Sequence, residues 1–346
     1  CYKKLSMSKK NSNVILKEGF KNYKELSKIY STFKKKLNLF KKKHFLIAVS
    51  GGPDSLALTA LSKAYSYESK CKIYYVLVDH NIRPNSSSES KSVKKLLKKH
   101  KINLNILKNK KLIKKNIQSQ AREVRYDLLT SFCKEKKIKT MLTAHNLEDQ
   151  VETFFIRLSR GSGLQGLSSM KQVNKISKNI NLVRPLLDFK KIQLVKISKI
   201  IFGKYYKDPT NKNKRYLRTR IRHLKKSLEK SGINYDQIFK SIKNLASSRD
   251  TLDLYFNKIY REVVDSKKDK IFINLKNFNS LNQEMKMRIF KQSITDLTKA
   301  YYAPRSKKIL NLIDHLKVKK NVRYTLGGCF VLKEKSHIIL RKEKKN

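Results

Sequence analysis

The chain has 346 residues, room for two domains of about 100–200 residues each. Its 82 Lys and Arg against 26 Asp and Glu leave a net charge of +56, a field that gathers polyanions and points to a nucleic-acid partner, even though a general abundance of Lys and Asn inflates the total. A hydrophobic content of 39%, with 15 Phe and 17 Tyr, excludes a disordered basic tail, and no run approaches the ~20 apolar residues of a membrane span.

Residues 1–20 are read as a disordered tail without chemistry, with Met7 an alternative start. This Lys-rich beginning lacks the apolar core of a secretory signal, so a cytoplasmic location is expected. An apolar run at 45–49 meets a Gly pair, and apolar residues recur at helical spacing over 55–65, which predicts strand, tight loop and helix. Residues 73–78 then read as a strand, 87–100 as a basic helix and 102–107 as another strand. Ile117, Ala121, Val124, Leu128 and Phe132 recur at three and four, predicting a helix with one buried face, and 140–143 closes a further strand. Strands alternating with helices imply an α/β domain over 21–222 with a doubly wound parallel sheet. After His223 the pattern becomes Lys-rich and helical, predicting a helical connector over 223–262. The remainder, 263–346, reads as a small α+β domain, with helices at 284–297 and 306–316 and short strands over 323–340 that turn at Gly327-Gly328 and near Lys335.

Ligands of open α/β sheets sit beyond the carboxyl ends of the strands, so the loops there carry the candidate chemistry. Ser50, Gly51, Gly52, Pro53, Asp54 and Ser55 follow the first strand, Asp79 and His80 the second, and Ala144 and His145 the fourth. The two glycines let backbone N–H groups approach an anion, and the following helix N-terminus favours phosphate. This is not a Walker A loop. It lacks Gly-x-x-x-x-Gly-Lys and holds Asp54, which repels phosphate unless Mg²⁺ or an amine lies between them. His145, Asp149 and Glu152 fall at i, i+4 and i+7, a cluster suited to Mg²⁺ or an amine, or simply acids complementing a helix dipole. Arg160-Gly161-Ser162-Gly163 reads as a basic loop for phosphate or nucleotide. The four cysteines, Cys1, Cys71, Cys133 and Cys329, form no Cys-x-x-Cys pair and are expected reduced.

Ser-Gly-Gly-Pro-Asp-Ser at 50–55 resembles the PP-loop of the N-type ATP pyrophosphatases. Further stretches are similar to the tRNA(Ile)-lysidine synthases: Val78-Asp79-His80-Asn81-Ile82-Arg83-Pro84, Ala121-Arg122 with Arg125-Tyr126, residues 144–153, Arg160-Gly161-Ser162-Gly163-Leu164, Arg184-Pro185-Leu186-Leu187, and Asp208-Pro209-Thr210-Asn211 followed by Arg218, Arg220 and Arg222. The likeness is dense over 45–222 and weaker beyond. It implies that ATP adenylates C2 of the wobble cytidine in a CAU-anticodon tRNA(Ile), and that an amine of L-lysine then displaces AMP. On that resemblance 50–55, Asp79, His80, Ala144 and His145 bind ATP, and Asp54, Asp149 and Glu152 are catalytic, with Asp54 and Asp149 as Mg²⁺ ligands. Arg122, Arg125, Arg160, Arg184, Arg218, Arg220 and Arg222 contact tRNA. Three positions depart from the family pattern: Asn81 for Gly, Glu148 for Asp and Thr219 for Asn. Asn tolerates the left-handed backbone that the turn at 81 requires. Longer members carry another C-terminal domain, which implies simpler recognition of the acceptor stem here. The oligomeric state stays open, a homodimer included. The rival readings are a tRNA thiolation enzyme, disfavoured by the lack of a cysteine pair, and a nonenzymatic RNA-binding protein with a vestigial loop.

Overall fold

A computed structural model describes residues 20, 23–40, 44–82, 84–110, 117–177, 179–206, 213, 215–299, 303–318 and 323–343. Of the expected tail over 1–20, residues 1–19 lie outside the described residues, as do Arg83 and Asp208-Pro209-Thr210-Asn211. Phe20 is a correction: it is buried in the core of the first unit and stacks on Tyr30. The chain divides into two compact units, 1–246 and 247–346.

The first unit opens with α1 (Lys24–Asn38), whose Leu26, Ile29, Phe33 and Leu37 recur at helical spacing and are buried. β1 (His44–Val49), α2 (Pro53–Ser69), β2 (Lys72–Asp79), α3 (Ser86–Lys99), β3 (Leu104–Lys108), α4 (Ile117–Glu135) and β4 (Thr140–Leu142) then alternate as the apolar pattern predicts. α5 (Leu147–Leu158), one turn of α6 (Leu164–Leu167), the hairpin β5 (Val173–Ser177) and β6 (Ile180–Val183), α7 (Lys191–Phe202) and α8 (Leu217–Lys230) follow. The sheet order is β3-β2-β1-β4-β6-β5. Every pairing is parallel except that of β5 with β6, so the doubly wound sheet carries one antiparallel edge strand. Its middle strands are buried on both faces. Phe45, Ile47 and Val49 pack with α2 and α7, while Leu46, Val76 and Met141 pack with α4.

α4 differs from the expected face. It buries Leu129, Phe132 and Cys133, whereas Ile117 is 43% exposed, because only the C-terminal part of the helix lies against the sheet.

The helical stretch beyond His223 holds the rest of α8 and then α9 (Tyr235–Val263). In the first unit Tyr235, Ile238, Phe239 and Ile242 pack with Leu147 and Val151 of α5. The second unit is a separate antiparallel sheet, order β7-β8-β11-β10-β9, formed by β7 (Val264–Lys267), β8 (Lys270–Asn274), β9 (Arg323–Leu326), β10 (Cys329–Lys333) and β11 (His337–Lys342). α10 (Leu275–Asn279), α11 (Gln283–Thr298), α12 (Ser306–Val318) and the end of α9 cover one face, over Ile271, Ile273, Val331, Ile338 and Leu340. The β7–β8 hairpin was not anticipated from the sequence.

Candidate active site

The strand order reverses between β1 and β4. β2 and β3 extend from one side of β1, while β4 and β6 extend from the other. At such a switch point the loops leave the sheet in opposite directions and a crevice opens beyond the strand ends. The loop after β1 and the loop after β4 border it.

The 50–55 loop is tied to itself. The Ser50 N–H donates to Ser55 Oγ at 3.1 Å, and Ser55 Oγ donates to the Gly52 carbonyl at 3.0 Å. Gly51 sits at φ +80, a left-handed conformation that L side chains rarely adopt, and a Cβ there would fall 2.6 Å from Val93 Cγ2. Its carbonyl accepts from Tyr206 N–H at 3.0 Å. Gly52 is the N-cap of α2 and Pro53 begins the helix, so no side chain caps the first turn. That leaves the helix N-terminus facing the crevice in the manner of anion sites. Gly51→Ala is expected to raise KM for ATP at least about tenfold, since strained φ and the Val93 contact both displace the loop. Titration of ATP dependence checks this. Adding Val93→Ala should recover only part of the loss, because the φ strain remains.

Asp54 lies in the first turn of α2, half-buried, and its Oδ1 is buried without a hydrogen-bond partner. Burial pushes its carboxyl up to about 6, against Lys191 and a side-chain hydrogen bond with Asn146, and with Asp149 adding to the rise, so the bare atom is Oδ1 alone. A buried carboxylate oxygen with no donor suits a cation. Among the described residues no group of three His, Cys, Asp or Glu forms a ready-made metal cage. The bare Asp54 oxygen fits a divalent cation such as Mg²⁺, held by one or two carboxylates together with ligand phosphates.

On α5, Asn146 and Asp149 form a capping box. The Asp149 N–H donates to Asn146 Oδ1 at 2.9 Å, and the Asn146 N–H donates to Asp149 Oδ2 at 3.1 Å. Asp149 Oδ1 remains toward Arg222, 4.0 Å away. The Asn three residues before an acid is a helix-start signal that the sequence reading passed over. Glu148 accepts from the Lys191 N–H at 2.8 Å and so fastens the start of α7. His145 precedes the helix instead of sharing its face with Asp149 and Glu152, and its Nδ1 pairs with Thr143 Oγ1 at 3.0 Å. Burial, against the pull of Asp149 and with Arg184, Arg125 and Arg122 nearby, pushes its imidazole well below the ordinary value, which favours the neutral ring.

Glu152 is 3% exposed and both of its oxygens are engaged. Arg222 Nε donates to one at 2.5 Å and Arg222 Nη2 to the other at 3.1 Å, and Arg218 Nε lies 3.0 Å from the second. Burial lifts the Glu152 carboxyl above its ordinary value, while its hydrogen bond and charge lift Arg222 in turn. With two guanidiniums in contact, the carboxylate stays ionised at neutral pH. Arg218 and Arg222, expected at RNA phosphate, are thus turned toward an acid of the crevice. Thr219 between them is buried.

Asp79 is a turn-builder. Its Oδ1 accepts from the Asn81 N–H at 3.0 Å and its Oδ2 from Ser87 Oγ at 2.8 Å. Burial alone would raise its carboxyl, but these donors and Lys108 outweigh it and hold the group below the ordinary carboxylate value. Asn81 stands at φ 51, the left-handed turn that the sequence leads one to expect. His80 accepts at its carbonyl from Asn109 Nδ2 at 3.1 Å.

Among the arginines expected at tRNA, Arg122, Arg160 and Arg220 are exposed. Arg122 and Arg125 lie 5.0 and 5.6 Å from the Tyr126 ring centre. Arg184 is a correction. It is 3% exposed and donates to the Lys171 carbonyl at 2.8 Å, with Leu186 and Leu187 of the same stretch in the core, so this stretch holds the fold and does not face RNA. Arg157, which the sequence reading omitted, donates to the Gly166 and Ser169 carbonyls and fixes the loop after α5.

The PP-loop domain family matches residues 23–227. The tRNA(Ile)-lysidine synthase of Wolbachia pipientis wMel is 33% identical over 302 residues, covering 86% of this chain and 70% of that protein. The enzyme of the same name from Orientia tsutsugamushi (strain Boryong) is 34% identical over 306 residues, covering 86% and 69%. Among solved structures, a U34-tRNA thiolase from Methanococcus maripaludis matches with a TM-score of 0.54 at 18% identity, covering 64% of this chain and 79% of that one, a likeness of fold alone. A PP-loop match over more than half the chain, together with relatives of one name along most of it, shows that the chain belongs to the tRNA(Ile)-lysidine synthases of the PP-loop family.

Proposed function

We propose that this protein is an ATP-dependent carbon–nitrogen ligase that converts the wobble cytidine of a CAU-anticodon tRNA(Ile) to lysidine. The observation that carries the reading is the unpartnered, buried oxygen of Asp54 beside a phosphate-type loop, at the switch point of the sheet. The C2 oxygen of the cytidine attacks the α-phosphorus of ATP, and the bond to pyrophosphate breaks. A neutral amine of lysine then attacks C2, and AMP leaves with the former C2 oxygen. The poor leaving oxygen has become a phosphate ester, and the proton released by the amine passes to a carboxylate.

The 50–55 loop and the start of α2 bind the phosphates, with Ala144 and the neutral His145 bordering the nucleotide. Asp54, with Asp149, would hold Mg²⁺, which screens phosphate charge as it develops. Asp54 and Asp149 are the carboxylates within the crevice that can accept that proton, the role falling to the one that does not hold the cation at that step, because a bound cation lowers the basicity of its ligand. An amino acid carries both signs, and Asp149 and Glu152 facing Arg218 and Arg222 offer both. In this reading the acids meet an ammonium of lysine and the guanidiniums its carboxylate. Exposed Arg122, Arg160 and Arg220 meet tRNA phosphate, and residues 263–346 form a further tRNA-binding domain.

Incubation with a CAU-anticodon tRNA(Ile), ATP and labelled lysine tests this reading. Label should enter that RNA only when ATP is present. RNA that stays unlabelled under conditions where the protein binds it would leave the nonenzymatic alternative standing.

A further inference from the structure

The five-stranded sheet of the second unit buries one face under its helices, and its other face has a composition of its own. Register places three rows of side chains there. Asp265, Phe272, Ile339, Leu332 and Arg323 stand opposite one another across the five strands. Next to them run Lys267, Lys270, Arg341, Phe330 and Thr325, and beyond the first row Asn274 pairs with His337.

Two features of this face point to a ligand. First, Lys267, Lys270 and Arg341 are directly opposite across β7, β8 and β11, an arrangement that is destabilising in the free protein. Among the described strand residues of the face the only acid is Asp265, on the edge strand. A polyanion would relieve the repulsion. Second, the half-buried Phe272 and Phe330 have cations on their rings. Lys267 Nζ lies 5.2 Å from the Phe272 ring centre, and the Arg323 guanidinium lies 4.1 Å from that of Phe330. Aromatic rings and guanidinium planes beside a row of cations are the elements with which sheets stack unpaired bases and follow their backbone. A duplex, with its bases enclosed, could use the cations but not the rings.

We propose that this sheet face, buried at its centre at Ile339 but half-exposed at Phe272 and Phe330, binds unpaired nucleotides of RNA, stacking bases beside Phe272 and Phe330 and holding phosphates with Lys267, Lys270 and Arg341. The identification of that RNA as the substrate tRNA rests on the function proposed above, whereas the chemistry of the face does not.

Fluorescence anisotropy on the full chain tests the proposal, using a short single-stranded oligoribonucleotide and an RNA duplex of equal length. The Phe272→Leu/Phe330→Leu variant, which keeps apolar volume, should bind the single strand roughly tenfold more weakly or worse, with an unchanged salt slope. Its duplex binding should stay within about twofold. Arg341→Gln, an exposed change that does not touch the core, should lower the salt slope for the single strand by about one. Wild-type single-strand binding by both variants would overturn the proposal, as would an equal loss on single strand and duplex. So would a self-association that the Leu variant abolishes, which would assign the face to a second copy of this chain. Lysine transfer by the wild-type protein separates the two claims. Transfer with variant-insensitive RNA binding sinks the surface alone, and variant-sensitive RNA binding without transfer sinks the function alone.

Discussion

Asp54→Asn is expected to cut AMP release by roughly a thousandfold and, at the same time, to make the protein more stable at pH 7. The two effects share one cause. The folded protein keeps the Asp54 carboxyl in a poorly solvated position, where its pKa is pushed up to about 6 from the ordinary 3.8. Between those values the folded state binds the proton more tightly than the unfolded chain. The stability given by the neutral carboxyl is therefore full below about 3.8 and lost as pH rises through about 6. At pH 7 the ionised group costs the fold on the order of 2 kcal/mol, allowing for its remaining contact with solvent. Asn has the same shape and does not ionise, so the melting temperature should rise by about 4–8 °C at pH 7 and hardly at pH 4. The wild-type pH profile should match, with kcat/KM for ATP falling on the acid side below about 6 as the needed carboxylate is protonated. Thermal melts at the two pH values and single-turnover AMP release check the pair of effects. An unchanged acid limb in Asp54→Asn, or AMP release near the wild-type rate, would contradict the role given to Asp54.

Glu152→Gln is the second large effect. Glu152 is enclosed, while the Arg222 and Arg218 side chains that hold it keep 31% and 37% exposure, so part of the pair's energy is screened. Removing the charge leaves two guanidiniums facing a neutral amide. We expect a loss of about 2–3 kcal/mol in unfolding free energy, and a loss nearer the upper end for Glu152→Ala, which also removes the hydrogen-bond acceptors. Because the same acid faces the proposed lysine site, KM for lysine should rise at least about tenfold in the Gln variant while KM for ATP changes little. A denaturant titration measures the first quantity and steady-state kinetics the second. If stability falls and KM for lysine does not move, Glu152 only holds Arg218 and Arg222 in place.

The sequence revealed the site's frame better than its wiring. The four strands of the first half and the loops after them were legible because apolar runs bounded by glycine and polar residues locate parallel strands, and parallel strands send their loops to one edge. Asn81 was legible for the same kind of local reason, a left-handed turn that few residues tolerate. The Glu152 contacts were not. Arg222 lies 70 positions away in the chain, and only the packing of α8 on α5 brings the two together. Arg218 and Arg222 were expected at tRNA from the resemblance, and nothing in their local Lys- and Arg-rich stretch shows that they turn to an acid instead. Arg184 misled in the same way, since no local pattern distinguishes an arginine that snakes through the core to a carbonyl from one in solvent. The β5–β6 and β7–β8 hairpins escaped because their strands are four or five residues long and each apolar strand, Ile180–Val183 or Lys270–Asn274, pairs with a mainly polar one, Val173–Ser177 or Val264–Lys267, that carries no strand pattern of its own. α4 was found, but its buried stripe was placed by spacing alone. Its actual contact follows from which part of the helix the sheet reaches.

The central claim is that the crevice between β1 and β4 carries ATP chemistry onto an RNA base. ATP labelled on its α-phosphate, incubated with the protein and the CAU-anticodon tRNA without lysine, tests it most directly. The account predicts pyrophosphate release that depends on that tRNA, AMP label that stays with the RNA, and discharge of the label as free AMP when lysine is added. Pyrophosphate release indifferent to the RNA, or AMP label that never appears on it while the protein holds both ligands, would contradict the account.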